Sequence, residues 1–321
     1  MRYVKLGTTG IEVSAICCGT MAMSSEGTFG EQDDELSACT IRAALAAGVN
    51  FFDTAESYGD GHSEEVLGRA LEGVRDRAII ATKVSSQHLR EPNLTQACEA
   101  SLRRLRTDYV DLYHVHWPNH EVPFSETAAA LGKLREQGKI RCWGVSNFGP
   151  HDLADALARG RPEVNQLPYS LLWRAVEFEI MPVCARHEVS VVCYSPLAQG
   201  LLTGKFGTLN DVPPHRRRAR YCKEPAAAHG FRVVDELRAV SCELAQPMAD
   251  VALAWLLAQT GVASVVAGMR TPEQACENAR AADLALPPDV ITRLTAASEP
   301  LKSMLGSNPD MWQEGAASRY R

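Results

Sequence analysis

The 321-residue chain contains no run of about eighteen apolar residues, the length a transmembrane helix needs. Its first residues, MRYVKLGTTGIEV, lack the apolar stretch and small-residue cleavage site of a secretory leader. A cytoplasmic location is the expectation, with no membrane partner. Positive charge is not in excess: 33 Lys and Arg against 39 Asp and Glu give a net charge of -6, which leaves no electrostatic case for nucleic acid. The ten cysteines form no C-x-x-C pair, and Cys17 and Cys18 are adjacent, so free thiols acting mostly as small hydrophobes are expected. No G-x-G-x-x-G is present. The nearest approach, Gly59-Asp60-Gly61, runs into His62-Ser63-Glu64 without a third glycine, which argues against an open doubly wound nucleotide-binding sheet. There is no nucleophile elbow, no metal box and no internal repeat.

What the chain does contain is alternation. A hairpin, RYVKLGTTGIEVS, opens it. Eight apolar strand segments follow: AICCGTM, NFFDT, AIIATK, YVDLYHVHW, IRCWGVS, EVNQLPY, VSVVCYS and ASVVAG. Seven of the intervals carry a helical pattern long enough for a right-handed crossover. The spacing predicts a (β/α)8 barrel with an N-terminal β-hairpin, read as one domain over 1–321. Two segments stand outside the alternation: a long loop region after the seventh strand, residues 200–249, and a C-terminal tail, 301–321. The tail has no periodicity and is expected to be frayed, although its SNPDMW motif, with Arg319 and Arg321 behind it, is able to fold over a pocket mouth and meet an anion.

Three strand ends carry chemistry. Asp53 ends NFFD, with Tyr58 five residues on in a polar turn; Lys83 ends AIIATK; His116 ends YVDLYHVH. A tyrosine has an ordinary pKa of about 10. An adjacent ammonium, held charged by a carboxylate, is expected to lower it. Consecutive strand units bring Asp53, Tyr58 and Lys83 together, and His116 stands one strand further round, placed to hydrogen-bond a substrate oxygen. Each residue alone reads more readily as a cap, a surface end, a loop aromatic or a core histidine; together they form apparatus for polarising a carbonyl. His114 shares the face of His116 and reads as a barrel-core histidine rather than a metal ligand, so no metal is expected.

The motifs FDTAESYGDGHSEEVLGRAL, ATK, LRRLRTDYVDLYHVHWP, GKIRCWGVSNF, NQLPYSLL, YSPLAQGLLTGKF and GMRTPEQACENARAADLAL resemble those of the aldo-keto reductases, in the branch that includes bacterial enzymes and potassium-channel β subunits. The resemblance covers nearly the whole chain. It implies a barrel that takes NADPH, less often NADH, and a catalytic tetrad of Asp53, Tyr58, Lys83 and His116 with Tyr58 as general acid. It also implies a cofactor set. Ser146, Asn147 and Gln166 would hold the nicotinamide carboxamide, and Tyr194 would stack on the ring. Gly19, Thr20 and Met21 join the set from the first strand end. Ser195, Pro196, Leu197, Gln199, Gly200, Leu202 and Lys205 would line the pyrophosphate. Gly268, Arg270, Thr271, Gln274, Glu277 and Asn278 would surround the adenosine end. That last group opens a helix, whose N–H groups suit a phosphate. Arg270 is suited to a 2′-phosphate, which favours NADPH.

The expected activity is reduction of an aldehyde or ketone, a sugar or keto-sugar among the candidates. A nucleotide-sensing regulatory subunit and a redox-neutral lyase or epimerase that retains the cofactor are the alternatives. Trp117, Trp173 and Trp312 are the candidate substrate contacts, and an oligomer is open. The basic cluster 216–220 reads as a solvated loop with local salt bridges, an anion contact being the sharper reading.

Overall fold

The computed structural model describes residues 1–24 and 30–321. Strands β1 (Tyr3–Lys5) and β2 (Glu12–Ser14) pair antiparallel as the expected hairpin. Its apolar residues, Leu6, Ile11 and Val13, are buried against the barrel-interior side chains Cys17, Phe51, Ala81 and Leu112. The hairpin turn is tied down at the starts of two barrel strands, where Gly7 N–H donates to Ser190 and Thr8 N–H to Glu163. It therefore plugs the N-terminal end of the barrel and leaves the other end for chemistry.

The barrel strands are β3 (Ile16–Gly19), β4 (Phe51–Asp53), β5 (Ile79–Val84), β6 (Val110–Val115), β7 (Ile140–Ser146), β8 (Val164–Pro168), β9 (Ser190–Tyr194) and β10 (Val262–Gly268). Each pairs in parallel with the next, and β10 closes on β3. All eight expected strands are present. Their continuous apolar character follows from burial on both faces, with lumen on one side and helices on the other.

The crossovers are α1 (Asp34–Ala46), α2 (His62–Ala70), α3 (Asn93–Leu105), α4 (Phe124–Glu136), α5 (Pro150–Arg159) and α6 (Ile180–Arg186). The β9-to-β10 connection holds α7 (Ala226–Leu244) and α8 (Met248–Leu257), and α9 (Pro272–Ala281) follows β10. Local chemistry starts α1 where the sequence says. Asp33 accepts the Leu36 N–H at the N-terminus of α1, and Asp34 and Glu35 occupy its first turn. Among the described residues, no helix is long and apolar enough to cross a membrane.

Two expectations change at the C-terminus. A further helix, α10 (Pro288–Leu305), packs against α7 and takes in the first residues of the tail. Its buried positions Val290, Leu294, Ser298, Leu301 and Leu305 keep helical spacing; Pro300 within the helix hides that pattern in the sequence. The rest of the tail is docked, not frayed. Asp310, fully buried, accepts from the Trp312, Gln313 and Arg319 backbone N–H groups and from the Arg319 guanidinium at 2.9 Å. The Arg321 carbonyl oxygen accepts from His151 and Asp152 N–H at the start of α5. Gly149 makes the approach possible, because a β-carbon there would collide with that oxygen.

The basic cluster is also more structured than a solvated loop. Arg220 donates to the carbonyls of Leu305 (2.8 Å) and Asn308 (3.1 Å), satisfying the end of α10. Arg217 bonds the Val212 and Asn210 carbonyls.

Candidate active site

The strand register sets the C-terminal ends level. Asp53 on β4 stands opposite Gly19 on β3 and Ala81 on β5, and Lys83 on β5 stands opposite His114 on β6. The Lys83 ammonium is fully buried and donates to Asp53 Oδ1 at 2.6 Å and to the Thr54 carbonyl at 2.7 Å. Its third contact is the Tyr58 hydroxyl at 3.3 Å. His116 completes the group: its ring meets the Tyr58 ring edge-on with centroids 5.8 Å apart, and its Nδ1 lies 3.4 Å from Ser57 Oγ. The four residues expected to act together do converge at the barrel mouth.

Their protonation states follow from burial and charge. Burial would depress the Lys83 ammonium, but Asp53 and Tyr58 outweigh it and hold its pKa above the ordinary value. For Tyr58 the balance falls the other way from the sequence expectation. Burial of the hydroxyl outweighs the nearby ammonium and raises its pKa, Asp53 adding to the rise. The phenol is therefore a protonated group at neutral pH, poised to donate with Lys83 beside it. Burial first, then Lys83, pushes His116 well below its ordinary pKa, so it is a neutral imidazole. His114 is fully buried and held at about 3 for the same reasons. Gly144 opposite makes room for its ring, since a β-carbon there would crowd His114 Nδ1. Among the described residues no group of His, Cys, Asp or Glu is arranged to hold a metal.

A second network adjoins the first. Gln166 on β8 donates from Nε2 to Asp53 Oδ2 at 2.8 Å across the lumen. Ser146 donates to the Gln166 carbonyl at 3.0 Å. Asn147, with φ of 64°, donates from Nδ2 to the His116 carbonyl and to Ser146 Oγ, and accepts from Tyr194 at 2.8 Å. Left-handed backbone recurs at Ser195, Ala198 and Gln199, with Gly200 at φ 97°. Strain of this kind collects at ligand sites. Here, among the described residues, the turn leaves Gln199 Oε1 buried without a partner and brings Lys205 close over Gly200. Burial and the Arg216 charge lower the Lys205 pKa, so two cations stand near one another beside this loop.

The remaining cofactor candidates divide. Pro196 and Leu202 are buried in the loop, with Leu197 half-buried. Thr271 accepts the Gln274 N–H as the N-cap of α9, and Gln274 accepts the Arg270 N–H. Asn278 bonds the Gly268 carbonyl, while Glu277 is exposed. Arg270 is braced by Gln32 Oε1 at 2.7 Å and the Glu31 carbonyl at 2.6 Å, partners from the first crossover that the sequence did not suggest. The Thr20 hydroxyl is committed inside the protein, to the Asp53 carbonyl and Ser63, so it supports the Asp53 backbone. Met21 is exposed.

Of the three tryptophans, Trp117 lies beside His116 at the mouth, with Arg319 stacked 3.6 Å from its ring centre. Trp312 is half-buried in the tail near Arg218. Trp173 is a correction: it is 1% exposed, packed on Tyr221 beneath the Arg220 guanidinium, and reaches no open space. The sequence reading also missed Tyr320, which is buried against Trp117 and donates to Asn147. The signal for it was slight, one aromatic between two arginines.

Residues 15–299 match the Aldo/keto reductase family model. The chain belongs to that family. It is 36% identical over 292 residues to the aldo-keto reductase YhdN of Bacillus subtilis, covering 85% of this chain and 86% of the relative. To the NADH-specific methylglyoxal reductase of Escherichia coli it is 32% identical, covering 94% and 100%. An aldo/keto reductase from Klebsiella pneumoniae, solved with NADP and acetate, superposes with a TM-score of 0.76 at 30% identity and 97% coverage of both chains. With the fold described above, these place the chain among NAD(P)H-dependent oxidoreductases that act on carbonyl groups.

Proposed function

We propose that the protein reduces an aldehyde or ketone with NADPH, Tyr58 donating the proton. The observation that carries this reading is the Lys83 ammonium, buried between Asp53 Oδ1 and the Tyr58 hydroxyl. A substrate carbonyl oxygen lodged between Tyr58 and His116 accepts the phenolic proton as negative charge develops on it. Lys83 stabilises the resulting phenolate, and Asp53 keeps Lys83 charged and in place. His116, neutral, offers a ring nitrogen to orient the same oxygen.

The chain's own groups fit a nicotinamide. Gln166 is turned by its bond to Asp53, which leaves its amide oxygen for a carboxamide N–H. Buried, unpartnered Gln199 Oε1 and the left-handed turn from Ser195 to Gly200 are features that a packed loop without a ligand does not require. When bound, the reduced nicotinamide supplies the hydride. Lys205 is suited to the pyrophosphate. Arg270, braced by Gln32 and the Glu31 carbonyl, is suited to a 2′-phosphate, and that supports NADPH over NADH. The Klebsiella relative was solved with NADP, whereas the Escherichia coli relative is named for NADH.

Titration of the protein with NADPH and NADH, read by tryptophan fluorescence, tests the cofactor half. Saturable, tighter binding of NADPH is expected. Failure of both nucleotides to bind would refute the reading.

A further inference from the structure

Asn147 is fully subscribed. A side-chain amide has two N–H donors and one oxygen with two lone pairs. Both donors are used, one on the His116 carbonyl and one on Ser146 Oγ, each at 3.0 Å. Both lone pairs are used as well, by the Tyr194 hydroxyl at 2.8 Å and the Tyr320 hydroxyl at 2.7 Å. Tyr194, His116 and Ser146 stand at barrel strand ends, and only Tyr320 belongs to the tail. A nicotinamide carboxamide brings an NH2 group with two protons to place. Gln166 Oε1 can accept one of them, and Asn147 Oδ1 is the other amide acceptor of the set.

We propose that Tyr320 is a latch on the carboxamide site: its hydroxyl and the cofactor's carboxamide use the same acceptor, Asn147 Oδ1. This rests on the reading of Asn147 as a carboxamide holder. Cofactor entry then requires the tail to let go. The tail is closed on itself by the Asp310–Arg319 ion pair, so its last residues form one unit. That unit meets the barrel mouth through Arg319 and the Tyr320 ring on Trp117, the latter at 5.5 Å between centroids, through the Tyr320 hydroxyl on Asn147, and through Arg321 at the start of α5. Tyr194, fixed on β9, keeps its bond and stays in place under the ring, so Asn147 is oriented with the latch open or closed.

The test is Tyr320→Phe, which removes the hydroxyl and keeps the ring against Trp117. NADPH should bind about five-fold more tightly, the effect of one competing hydrogen bond, mainly through a faster association rate in stopped flow. 2′-Phospho-ADP-ribose, which has no carboxamide, should bind both proteins equally. Weaker or unchanged NADPH binding in Tyr320→Phe would overturn the latch, and so would an equal gain for 2′-phospho-ADP-ribose. Asn147→Ala keeps the two readings apart: NADPH affinity unaffected by that change would remove Asn147 from the carboxamide site itself. A second variant reaches the tail from a distance. Asp310→Ala opens the clasp and should reproduce the faster NADPH association; an unchanged rate there would contradict release of the tail as the gating event.

Discussion

Gln166 and Asp53 meet across the lumen, amide Nε2 to carboxylate Oδ2 at 2.8 Å. One carboxylate thus serves two tasks. Its Oδ1 holds the Lys83 ammonium that supports Tyr58, and its Oδ2 fixes which way the Gln166 amide points. Asp53→Asn should therefore damage both. The expected result is a fall in kcat of about 10²-fold or more, together with weaker NADPH binding, because an Asn can present its NH2 to Gln166 and turn that amide round. Steady-state kinetics with a fluorescence titration on the same variant checks it. Loss of kcat at full cofactor affinity would show the two tasks to be separate.

Tyr58→Phe makes the contrasting case. It leaves Asp53, Gln166 and the carboxamide set untouched, so NADPH affinity should stay nearly constant while reduction falls by about 10²- to 10⁴-fold. A variant that keeps full kcat would remove Tyr58 from the mechanism.

The pH dependence follows from burial. Tyr58 lies above its ordinary pKa of 10.0 and His116 well below 6.5. The pH profile of kcat/KM for reduction should accordingly show no enzyme ionisation near 6.5 and should decline only above pH 10, as the phenol loses its proton. A break near 6.5 that disappears in His116→Gln would contradict a neutral His116.

Stability should respond to acid through His114. Its folded pKa of about 3 lies below the ordinary 6.5, so between those values the unfolded chain binds the extra proton. Stability from this group is present above pH 6.5 and is lost as pH falls toward 3, by up to about 1.4 kcal/mol per pH unit. Urea unfolding at stepped pH should show this slope, and His114→Gln should flatten it. Equal slopes in both proteins would place the acid sensitivity elsewhere.

Under the proposed function, cofactor choice turns on Arg270. Arg270→Ala should weaken NADPH far more than NADH. Gln32→Ala, which removes the brace at 2.7 Å, should do the same to a lesser degree. Equal losses for both nucleotides would show that this arginine does not read the 2′-phosphate.

The barrel and the convergence of Asp53, Tyr58, Lys83 and His116 were legible because they rest on local rules. Strands buried on both faces read as apolar runs, and a reactive residue at the end of such a run has one place to go, the barrel mouth. The Tyr58 ionisation was misjudged because the sequence shows that Lys83 is near but not how deeply the hydroxyl is sunk, and depth decides the sign. Trp173, Tyr320 and Arg220 were misread or missed for another reason. Their roles come from contacts between the β9–β10 connection, α10 and the tail, separated by many residues and carried by no periodicity. The helix α10 itself was concealed by Pro300, and the tail docks through Asp310, a residue whose burial no local pattern announces.

The most direct measurement is a single turnover of the NADPH-loaded protein with a small aldehyde such as methylglyoxal, following reduced-nicotinamide absorbance alongside alcohol formed. One alcohol per NADPH oxidised, with no reaction in Tyr58→Phe, is the predicted result. Bound NADPH that stays reduced across a panel of aldehydes and ketones, or product formed without its consumption, would contradict carbonyl reduction as the activity of this site.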